Sequence, residues 1–551
     1  MIIRSFYIYI ILLLYPNQSQ LQRTLGLIYH AEDAYEGYTL FSPISSKETY
    51  LIDICGYVVN KWVSNHLPGQ TAYLLANGDL LRTARIPGNF TGGGVGGKIE
   101  IYSWDGKLKW SRTFATESYH QHHVAHPMPN GNILTILWQK YTKDEAIHKG
   151  FNPAKITNQG IWSDKIIEFK PLMNNELEIV WEWDFWDHTI QDFDPSKSNF
   201  GVVADHPELL DVNFSEDPGA NVAEWLHVNS LDYHPELDQL LISSKYHNEF
   251  YIIDHSTSTS EAKSHTGGKY GKGGDFLYRW GNPRSYHRGS QADHWLFGQH
   301  DVQWIKKGMP GENNILLFNN GSNRKDELYS TVEEIITPVT LSGNYISEIN
   351  VPFLPELPSW IYQSNPKTDF YSSRISGAQR LPNGNTLICE GNGGNFFEVN
   401  QRDKIVWQYI NPINNFGQNI QGSSPINTDV FKVVRYSKDF SGFDNRNMTG
   451  TSTLEINTDI YDCDHLTASK DQSFHNISLY PNPANDRIFI SGILNDSFHY
   501  IIRDITGKII QEDNVIKNNS ININTLLPSL YVIQINIQNK NKSINFVFNK
   551  M

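Results

Sequence analysis

Three histidines stand at the same position in successive strand repeats of this sequence. His123, His227 and His300 each begin an apolar strand that leads into a turn, and Gln70 and Ser376 take that position in two further copies. A neutral imidazole can act as a nucleophile that forms a covalent intermediate, and it can transfer protons near neutral pH. If the fold brings the strand starts together, the sequence predicts one pocket that holds several imidazoles.

The stretch from Glu224 to Asp254 shows the layout of one copy. Its alternating apolar and β-branched residues predict three strands joined by two turns, the first of which contains a proline. These strands and turns cover, in order, residues 227–233, 234–238, 239–245, 246–248 and 249–254. In such a meander the start of the first strand and the second turn lie at the same end, so His227, Asn229 and His247 are predicted to converge.

About six copies of this pattern, each with four strands, follow one another along the chain. Asn-Gly turns between apolar runs, as at Asn77, Asn130 and Asn383, are typical of hairpins, and most copies carry a tryptophan in the fourth strand. In the fifth copy that strand is predicted at Asn344–Ile349, which has no tryptophan. Repeated units of this kind predict an all-β, six-bladed β-propeller whose innermost strands line a central channel. Val430–Tyr436 is predicted to close the ring by pairing with the N-terminal unit.

The composition argues against some classes of protein. A formal net charge of −14 disfavours nonspecific nucleic-acid binding, which needs a basic surface. The three cysteines, Cys55, Cys389 and Cys463, are widely spaced and suggest neither a disulfide framework nor a metal motif. Cys55 and Cys389 fall in predicted strands and are expected to be small buried residues.

Composition also divides the chain into four segments. Residues 1–20 hold one charge, Arg4, and a short apolar run, which is typical of a secretory signal peptide and too short for a stable membrane span. Residues 21–440 form the predicted propeller, and the polar residues 441–477 form a linker. Residues 478–551 show short alternating strands with turn residues, enough for a small β-sandwich.

The C-terminal segment resembles the type A C-terminal sorting domain of the type IX secretion system. The residues that carry the resemblance are Tyr480–Pro483 (YPNP), Asp504–Lys508 (DITGK) and the terminal Lys550. The resemblance implies that the type IX machinery is a partner of the chain. It also implies that the protein is secreted or displayed at the cell surface.

Residues of roughly 24–440 resemble the arylsulfotransferases that work without PAPS and are built on a six-bladed propeller. The motifs that carry the resemblance are GYTLFSP at Gly37, WLHVNSLDYH at Trp225, GQHDVQW at Gly298, LLFNNGSNR at Leu316 and SGAQRLPNGNTLICEGNGGNFFEV at Ser376. The resemblance implies transfer of a sulfuryl group from an aryl sulfate to a phenol through a sulfohistidine, with no cofactor.

Individual positions match the family's site by motif. His227 and Asn229 match its H-x-N pair, His300 its Q-H pair, and Arg324 the arginine that follows an Asn-Gly turn. In bacterial members the nucleophile is a histidine from a later blade, and the corresponding slot here holds Ser376. No histidine lies between His300 and His465.

These matches give a hypothesis for the chemistry. His300 is the nucleophile, His227 the acid and base, and Arg324 a planar clamp for the sulfuryl oxygens, with Asn229 as a neutral donor. The predicted substrate-binding residues are His123, His247, Asn320 and Ser376. The aryl ring is expected to stack on Trp295 or Trp304.

Two other functions remain open on the sequence. Clustered histidines can bind a divalent metal, and the close set is His120, His122, His123 and His126. A secreted propeller can also bind a glycan or peptide without catalysis, which the Ser376 slot would favour. The glycine run Gly92–Gly97 lacks the strand–loop–helix context of a phosphate-binding loop, so it is predicted to be a flexible hairpin.

Overall fold

The computed structural model divides the chain into two compact units, Met1–Leu466 and Thr467–Met551. It describes residues 23–216, 223–458, 463, 478–480, 484–491, 498–504, 508–515, 520–537 and 542–551. The predicted signal peptide, residues 1–20, lies outside the described residues. Among the described residues no helix has the length and apolar character that a membrane span requires.

The first unit is built almost entirely of strands. They are, in chain order, β1 (Gly26–His30), β2 (Gly37–Pro43), β3 (Glu48–Ile52), β4 (Val58–Val63), β5 (Pro68–Leu74), β6 (Leu80–Arg85), β7 (Gly97–Tyr102), β8 (Leu108–Thr113), β9 (Tyr119–Pro127), β10 (Ile133–Tyr141), β11 (Ile161–Pro171), β12 (Leu177–Asp184), β13 (Thr189–Ile190), β14 (Leu210–Asp211), β15 (Val228–His234), β16 (Gln239–Ser244), β17 (Glu249–Asp254), β18 (Phe276–Trp280), β19 (His300–Trp304), β20 (Ile315–Asn319), β21 (Thr331–Ile335), β22 (Trp360–Tyr362), β23 (Gly377–Arg380), β24 (Thr386–Glu390), β25 (Asn395–Val399), β26 (Ile405–Ile410), β27 (Ile413–Asn414), β28 (Gly417–Gln418) and β29 (Val430–Ser437). Its α-helices are α1 (Lys143–His148) and α2 (Thr259–Ala262). Its 3₁₀ helices are Pro153–Lys155, Met173–Asn175, Phe185–Asp187, Val203–Asp205, Pro283–Tyr286, Gln291–Asp293, Lys367–Asp369 and Ser441–Phe443.

Most of these strands form six antiparallel groups, called sheets 1 to 6, and sheets 2 and 3 are joined by a parallel pairing of Gln70 on β5 with His123 on β9. Sheet 1 is β29-β2-β3-β4, sheet 2 is β5-β6-β7-β8, sheet 3 is β9-β10-β11-β12, sheet 4 is β15-β16-β17-β18, sheet 5 is β19-β20-β21-β22, and sheet 6 is β23-β24-β25-β26 with β1 on its outer edge. The innermost strands β29, β5, β9, β15, β19 and β23 contact one another in turn and return to β29. The all-β fold is therefore confirmed, and its sheets form a propeller-like ring.

Both ends of the ring-forming chain help to close it. β29 pairs antiparallel with β2, so that Tyr436 stands opposite Tyr38. β1 pairs with β26 on the far side of sheet 6. The prediction that Val430–Tyr436 is the closing strand is confirmed, because sheet 1 would otherwise lack its innermost strand.

A tryptophan on the fourth strand of each sheet contacts the next sheet. Its indole N–H donates a hydrogen bond to the connection between the third and fourth strands of that neighbour. The bonds run from Trp62 to Ser103 O (2.9 Å), Trp110 to Glu176 O (3.0 Å), Trp183 to Gly274 O (2.8 Å), Trp280 to Pro355 O (2.7 Å), Trp360 to Asp403 Oδ1 (3.2 Å) and Trp407 to Ile54 O (2.7 Å). The last of these joins sheet 6 to sheet 1, so the same contact runs around the whole ring.

The fourth strand of sheet 5 differs from the sequence prediction. It is β22 and not Asn344–Ile349, and it carries Trp360. Tyr345, in the predicted strand, instead stacks on Tyr278 with ring centroids 4.9 Å apart and donates a hydrogen bond to Gln239 Oε1 (2.9 Å). The prediction was wrong because the alternation of apolar and polar residues at Asn344–Ile349 was taken as the sign of a strand. The aromatic ring of Tyr345 in this stretch packs on the neighbouring sheet instead.

The cysteines depart from the prediction in part. Cys55 lies in the turn between β3 and β4 and forms a disulfide with Cys463, whereas Cys389 is a buried free thiol on β24, as predicted. The sequence could not show this pair, because residues 441–458 must first fold back onto sheet 1. In that segment Phe443 packs edge-on against Tyr38, with ring centroids 5.0 Å apart, and is buried.

The second unit contains two small sheets. Its strands are β30 (Ser478–Tyr480), β31 (Arg487–Ser491), β32 (Phe498–Asp504), β33 (Ile509–Val515), β34 (Ser520–Asn522), β35 (Ser529–Ile537) and β36 (Lys542–Lys550), arranged as β30-β31-β34 and β33-β32-β35-β36. Ile488, Phe498, Ile533 and Phe548 share one buried core. This matches the predicted β-sandwich. Of the sorting motifs, residues 481–483 and 505–507 lie outside the described residues.

We expect Cys55→Ser to lower the free energy of unfolding by about 2–4 kcal/mol, because the disulfide closes a chain segment of 408 residues. Chemical denaturation of the oxidised protein, followed by tryptophan fluorescence, measures the change. Reductant should bring the wild-type curve onto that of the variant and leave the variant unchanged. If reductant shifts both curves equally, the stabilisation does not come from this disulfide.

Candidate active site

The starts of the inner strands share an unusual backbone conformation. Gln70, His123, His227, Asp301 and Ser376 all have positive φ, between 51° and 135°. The ladders of β5, β9, β15 and β19 also shift register at this end. A bulge with a left-handed residue turns the strand and re-aims its side chain. The same local distortion therefore presents side chains from several sheets to one mouth of the ring.

A cavity of about 750 Å³ opens at this mouth. His123, His227 and His300 all line it, together with Gln70. The lining residues that carry or can acquire a positive charge are His66, Arg85, His123, His227, Lys245, His300 and Arg374. The structure thus brings together the three histidines that the repeat register singled out.

Hydrogen bonds fix the protonation of His300. Its Nδ1 lies 2.7 Å from Asn320 Oδ1 and 2.9 Å from Gly298 O. The Asn320 amide cannot present its nitrogen there, because Nδ2 donates to the carbonyls of Ser372 (2.7 Å) and Ile375 (2.9 Å). Nδ1 therefore carries the proton and Nε2 the lone pair. Burial, with the nearby Lys245 charge, lowers the pKa of His300 to about 3, so the ring is neutral at neutral pH.

A buried carboxylate lies beside His227. Glu224 Oε1 is 2.8 Å from its Nδ1. Burial raises the pKa of Glu224, but the charge of His227 and its contact with the carboxylate lower that pKa by more. The pKa of Glu224 is therefore below its ordinary value. His227 thus lines the cavity with an ionised carboxylate beside its Nδ1.

His123 belongs to a buried chain of three polar side chains. Its Nδ1 is 2.8 Å from His122 Nδ1, and His122 Nε2 is 2.7 Å from Asp164 Oδ1. Burial raises the pKa of Asp164 well above its ordinary value and lowers the pKa of His122 to about 3. Burial also lowers the pKa of His123 well below its ordinary value. Because Nδ1 of His123 faces His122, its Nε2 is the nitrogen that remains for a ligand in the cavity.

Lys245 supplies a positive charge at the cavity wall. It follows β16 and is half-buried, and its Nζ makes no hydrogen bond or ion pair with the described residues. Its charge lowers the pKa of both His300 and His123 in addition to the larger effect of burial. An unpaired ammonium beside neutral imidazoles is suited to hold the oxygens of an anion.

The glycine run approaches the histidines closely. Gly92, Gly93 and Gly94 line the cavity, and Gly94 O accepts a hydrogen bond from the His123 N–H (2.9 Å). A Cβ on Gly93 would lie 2.9 Å from His227 Cε1, and one on Gly94 would overlap the His123 ring. Only glycine permits this approach, so the run forms part of the wall as well as a hairpin.

The other predicted catalytic residues lie behind or outside the cavity wall. The Arg324 guanidinium stacks on Phe297 (5.0 Å) and Tyr329 (4.4 Å) and does not line the cavity. Asn229 is buried, and its Nδ2 donates to Gln299 O (2.7 Å), which fixes the chain just before His300. The expected clamp is therefore not in place, since the loop after β20 turns Arg324 onto aromatic rings.

Of the predicted substrate-binding residues, His123 lines the cavity, and Asn320, His247 and Ser376 do not. Asn320 positions His300 from behind. His247 is buried, packs 5.5 Å from Phe214 between ring centroids, and does not line the cavity. Ser376 Oγ donates to Ser372 Oγ (2.8 Å) and accepts from the Gly391 N–H (2.9 Å). Ile375, and not Ser376, faces the cavity from sheet 6.

The predicted aromatic platform is also different. Trp304 is buried in the core, and the Trp295 indole donates to Glu333 Oε2 (2.7 Å), so neither lines the cavity. Phe90 does, and it packs on Trp162 with ring centroids 4.7 Å apart. Closeness in sequence to His300 did not predict which aromatic residue lines the cavity, because Phe90 comes from the loop that follows β6.

Sequence reasoning missed Lys245, Glu224 and Asp164. A signal existed for two of them: Lys245 ends a strand at the predicted mouth, and Glu224 stands three residues before His227. Asp164 lies on β11, and no sequence pattern connects it with His122. Its contact requires sheet 3 to be assembled.

The proposed metal cluster of neighbouring histidines does not form. Of that set only His123 lines the cavity, while His126 lies 3.6 Å from Asp232. Among the described residues, the group that could hold an ion is His188, His265 and Asp275, none of which lines the cavity. The geometry of the cavity thus favours imidazole chemistry.

Comparisons with known proteins address the family. No curated protein matches the chain. Similar solved structures include the periplasmic gluconolactonase of Pseudomonas aeruginosa (10% identity over 88% of this chain and 97% of that one, TM-score 0.34). A catalytically inactive virginiamycin B lyase from Staphylococcus aureus (9%, 72% and 91%, TM-score 0.30) and a β-propeller domain from Myceliophteria thermophila (10%, 71% and 87%, TM-score 0.33) are also similar.

The family comparison is more specific than these structural likenesses. Residues 478–549 match the secretion system C-terminal sorting domain, which indicates secretion or display at the cell surface. Residues 31–429, which include every histidine of the cavity, match the arylsulfotransferase (ASST) family. The chain therefore belongs to the arylsulfotransferase family.

Proposed function

We propose that this protein transfers a sulfuryl group from an aryl sulfate to a phenol through a covalent sulfohistidine at His300. The observation that carries the proposal is the arrangement of imidazoles and a cation around one cavity. His300 presents its Nε2 lone pair, Glu224 lies 2.8 Å from Nδ1 of His227, and His123 and Lys245 line the same wall. These are the groups that sulfuryl transfer needs.

The first step forms the intermediate. The Nε2 lone pair of His300 attacks the sulfur of the aryl sulfate, and the N–S bond forms as the S–O bond to the ring breaks. The leaving phenoxide takes the proton of His227. Lys245 and His123 hold the sulfuryl oxygens, while Asn320 keeps the Nδ1 proton of His300 in place.

The second step reverses the first with a new phenol. The acceptor gives its proton to His227, and its oxygen attacks the sulfur. The N–S bond breaks, which returns His300 to its neutral form. Every proton and bond is restored, so the cycle needs no cofactor. The sorting domain supports an extracellular or cell-surface location for the proposed chemistry, and the proposed partners there are aryl sulfates and phenols.

We expect His300→Ala to abolish turnover and covalent labelling. The wild-type chain mixed with 4-nitrophenyl sulfate should gain the mass of one sulfuryl group, seen by intact-mass spectrometry, and should release nitrophenol faster when phenol is added. His206→Ala is the matched control, because His206 is exposed and outside the cavity. Labelling of folded His300→Ala at the wild-type level would exclude His300 as the nucleophile.

Two substitutions distinguish the candidate oxyanion clamps, Lys245 and Arg324. We expect Lys245→Gln to lower kcat/KM for 4-nitrophenyl sulfate by about 100-fold, as loss of an oxyanion donor does elsewhere. Arg324→Gln should change it by less than about threefold, because Arg324 stacks on aromatic rings outside the cavity. The opposite ranking in steady-state kinetics would return the clamp to Arg324.

The pH dependence follows from the lowered pKa of His300. Because this pKa is about 3, protonation does not remove the nucleophile at any pH above about 4. We expect the single-turnover rate of sulfuryl-enzyme formation with 4-nitrophenyl sulfate to fall by less than about threefold as the pH is lowered from about 7 to about 5, because lowering the pH cannot deprotonate the proposed proton donor His227. Near-UV circular dichroism checks the fold at each pH. A fall in rate towards low pH with an apparent pKa near 6.5 would mean that His300 is not desolvated.

A further inference from the structure

Arg85 lines the cavity without a partner. It ends β6, where its backbone N–H donates to Leu67 O (2.8 Å). Its side chain is half-buried and makes no hydrogen bond or ion pair with the described residues, and its Nε is shielded from solvent. Burial alone lowers the pKa of Arg85, since no carboxylate offsets it. A desolvated guanidinium without a counter-charge is costly, so its position calls for an anion.

The fully buried arginines of the same unit behave differently. Arg82 lies 3.3 Å from Glu100, Arg279 2.5 Å from Glu249, and Arg435 2.6 Å from Glu398. In each case a glutamate carboxylate neutralises the buried guanidinium group. Arg85, which is half-buried and lines the cavity, has no such carboxylate partner among the described residues.

The cavity has a surplus of positive charge that the rest of the protein lacks. Among the described residues that line it there is no aspartate or glutamate, although the whole chain has a formal charge of −14. Arg374 is already paired with Asp429 (2.7 Å). Two unpaired permanent cations remain, Lys245 and Arg85. Lys245 acts on His300 and His123, which leaves Arg85 for another anion.

The remaining wall suits an aromatic molecule. Phe90, Ile86 and Val95 line the cavity, and the volume of about 750 Å³ lies within the range that holds drug-sized ligands. A simple phenol would fill only part of this space. An aromatic substrate with a substituent remote from the reacting oxygen could reach Arg85.

We propose that Arg85 binds a second anionic group, a carboxylate or a sulfonate, on the aromatic substrate. The proposal rests on the proposed function for the reacting end of the substrate, but the subsite itself is a matter of binding. A guanidinium takes a carboxylate through two parallel N–H donors, which gives both affinity and orientation. The substrates are thus anionic phenols and their sulfate esters rather than neutral ones.

The test compares acceptors that differ in remote charge. With 4-nitrophenyl sulfate as donor, kcat/KM for 4-hydroxyphenylacetate should exceed that for 4-ethylphenol by about tenfold or more, and that for tyramine by a larger factor. In Arg85→Gln the ratio of the first two should fall to about one, and Arg85→Lys should recover part of it. Arg402→Gln, at an exposed arginine, should keep the wild-type ratio.

A binding measurement separates this subsite from the reaction. Isothermal titration calorimetry of 4-hydroxyphenylacetate should give a Kd about tenfold lower for the wild type than for Arg85→Gln. If no donor turns over but this difference persists, the proposed function fails and the subsite stands. If turnover occurs and Arg85→Gln alters neither the ratio nor the Kd, the function stands and the subsite is overturned.

Discussion

One contact is repeated around the ring, and the cavity depends on it. The indole N–H of a tryptophan on the fourth strand of each sheet donates a hydrogen bond to the next sheet, and the bond from Trp407 to Ile54 O joins the last sheet to the first. Each such bond contributes only about 0.5–1.5 kcal/mol net, but it fixes the outer edge of one sheet against its neighbour. β29 completes sheet 1 on its inner side, so the ring is closed at both its inner and its outer edges. The strand starts can therefore meet at one mouth.

Local distortion at that mouth turns a structural repeat into a site. A regular strand would point alternate side chains along the channel, whereas the left-handed residues His123 and His227 place imidazoles against each other, with ring centroids 4.9 Å apart. Non-glycine residues adopt this conformation at an energetic cost, which the surrounding sheets must offset. Gly93 and Gly94 complete the arrangement, because a larger residue would collide with these rings.

Burial then decides what each imidazole can do. Burial lowers the pKa of both His300 and His122 to about 3, and the contacts with Asn320 and Gly298 place the proton of His300 on Nδ1. The Glu224 carboxylate lies 2.8 Å from Nδ1 of His227. Three residues of one type thereby stand in three different surroundings within one cavity. Lys245 and Arg85 add positive charge to the cavity of a protein whose overall charge is negative.

The sequence by itself determined the all-β class, the repeat of four-stranded units, the closing strand and the three histidines of the mouth. It could do so because strand period, turn residues and repeat register are local properties that recur. The tertiary structure decided what depends on contacts between units: the disulfide from Cys55, the tautomer of His300, and the choice of Lys245 over Arg324 at the cavity. Those contacts join residues from different sheets or from the returning chain, and no spacing in the sequence records which of them will meet. Side-chain direction at an irregular loop, as at Arg324, is set by the aromatic rings it happens to pack on.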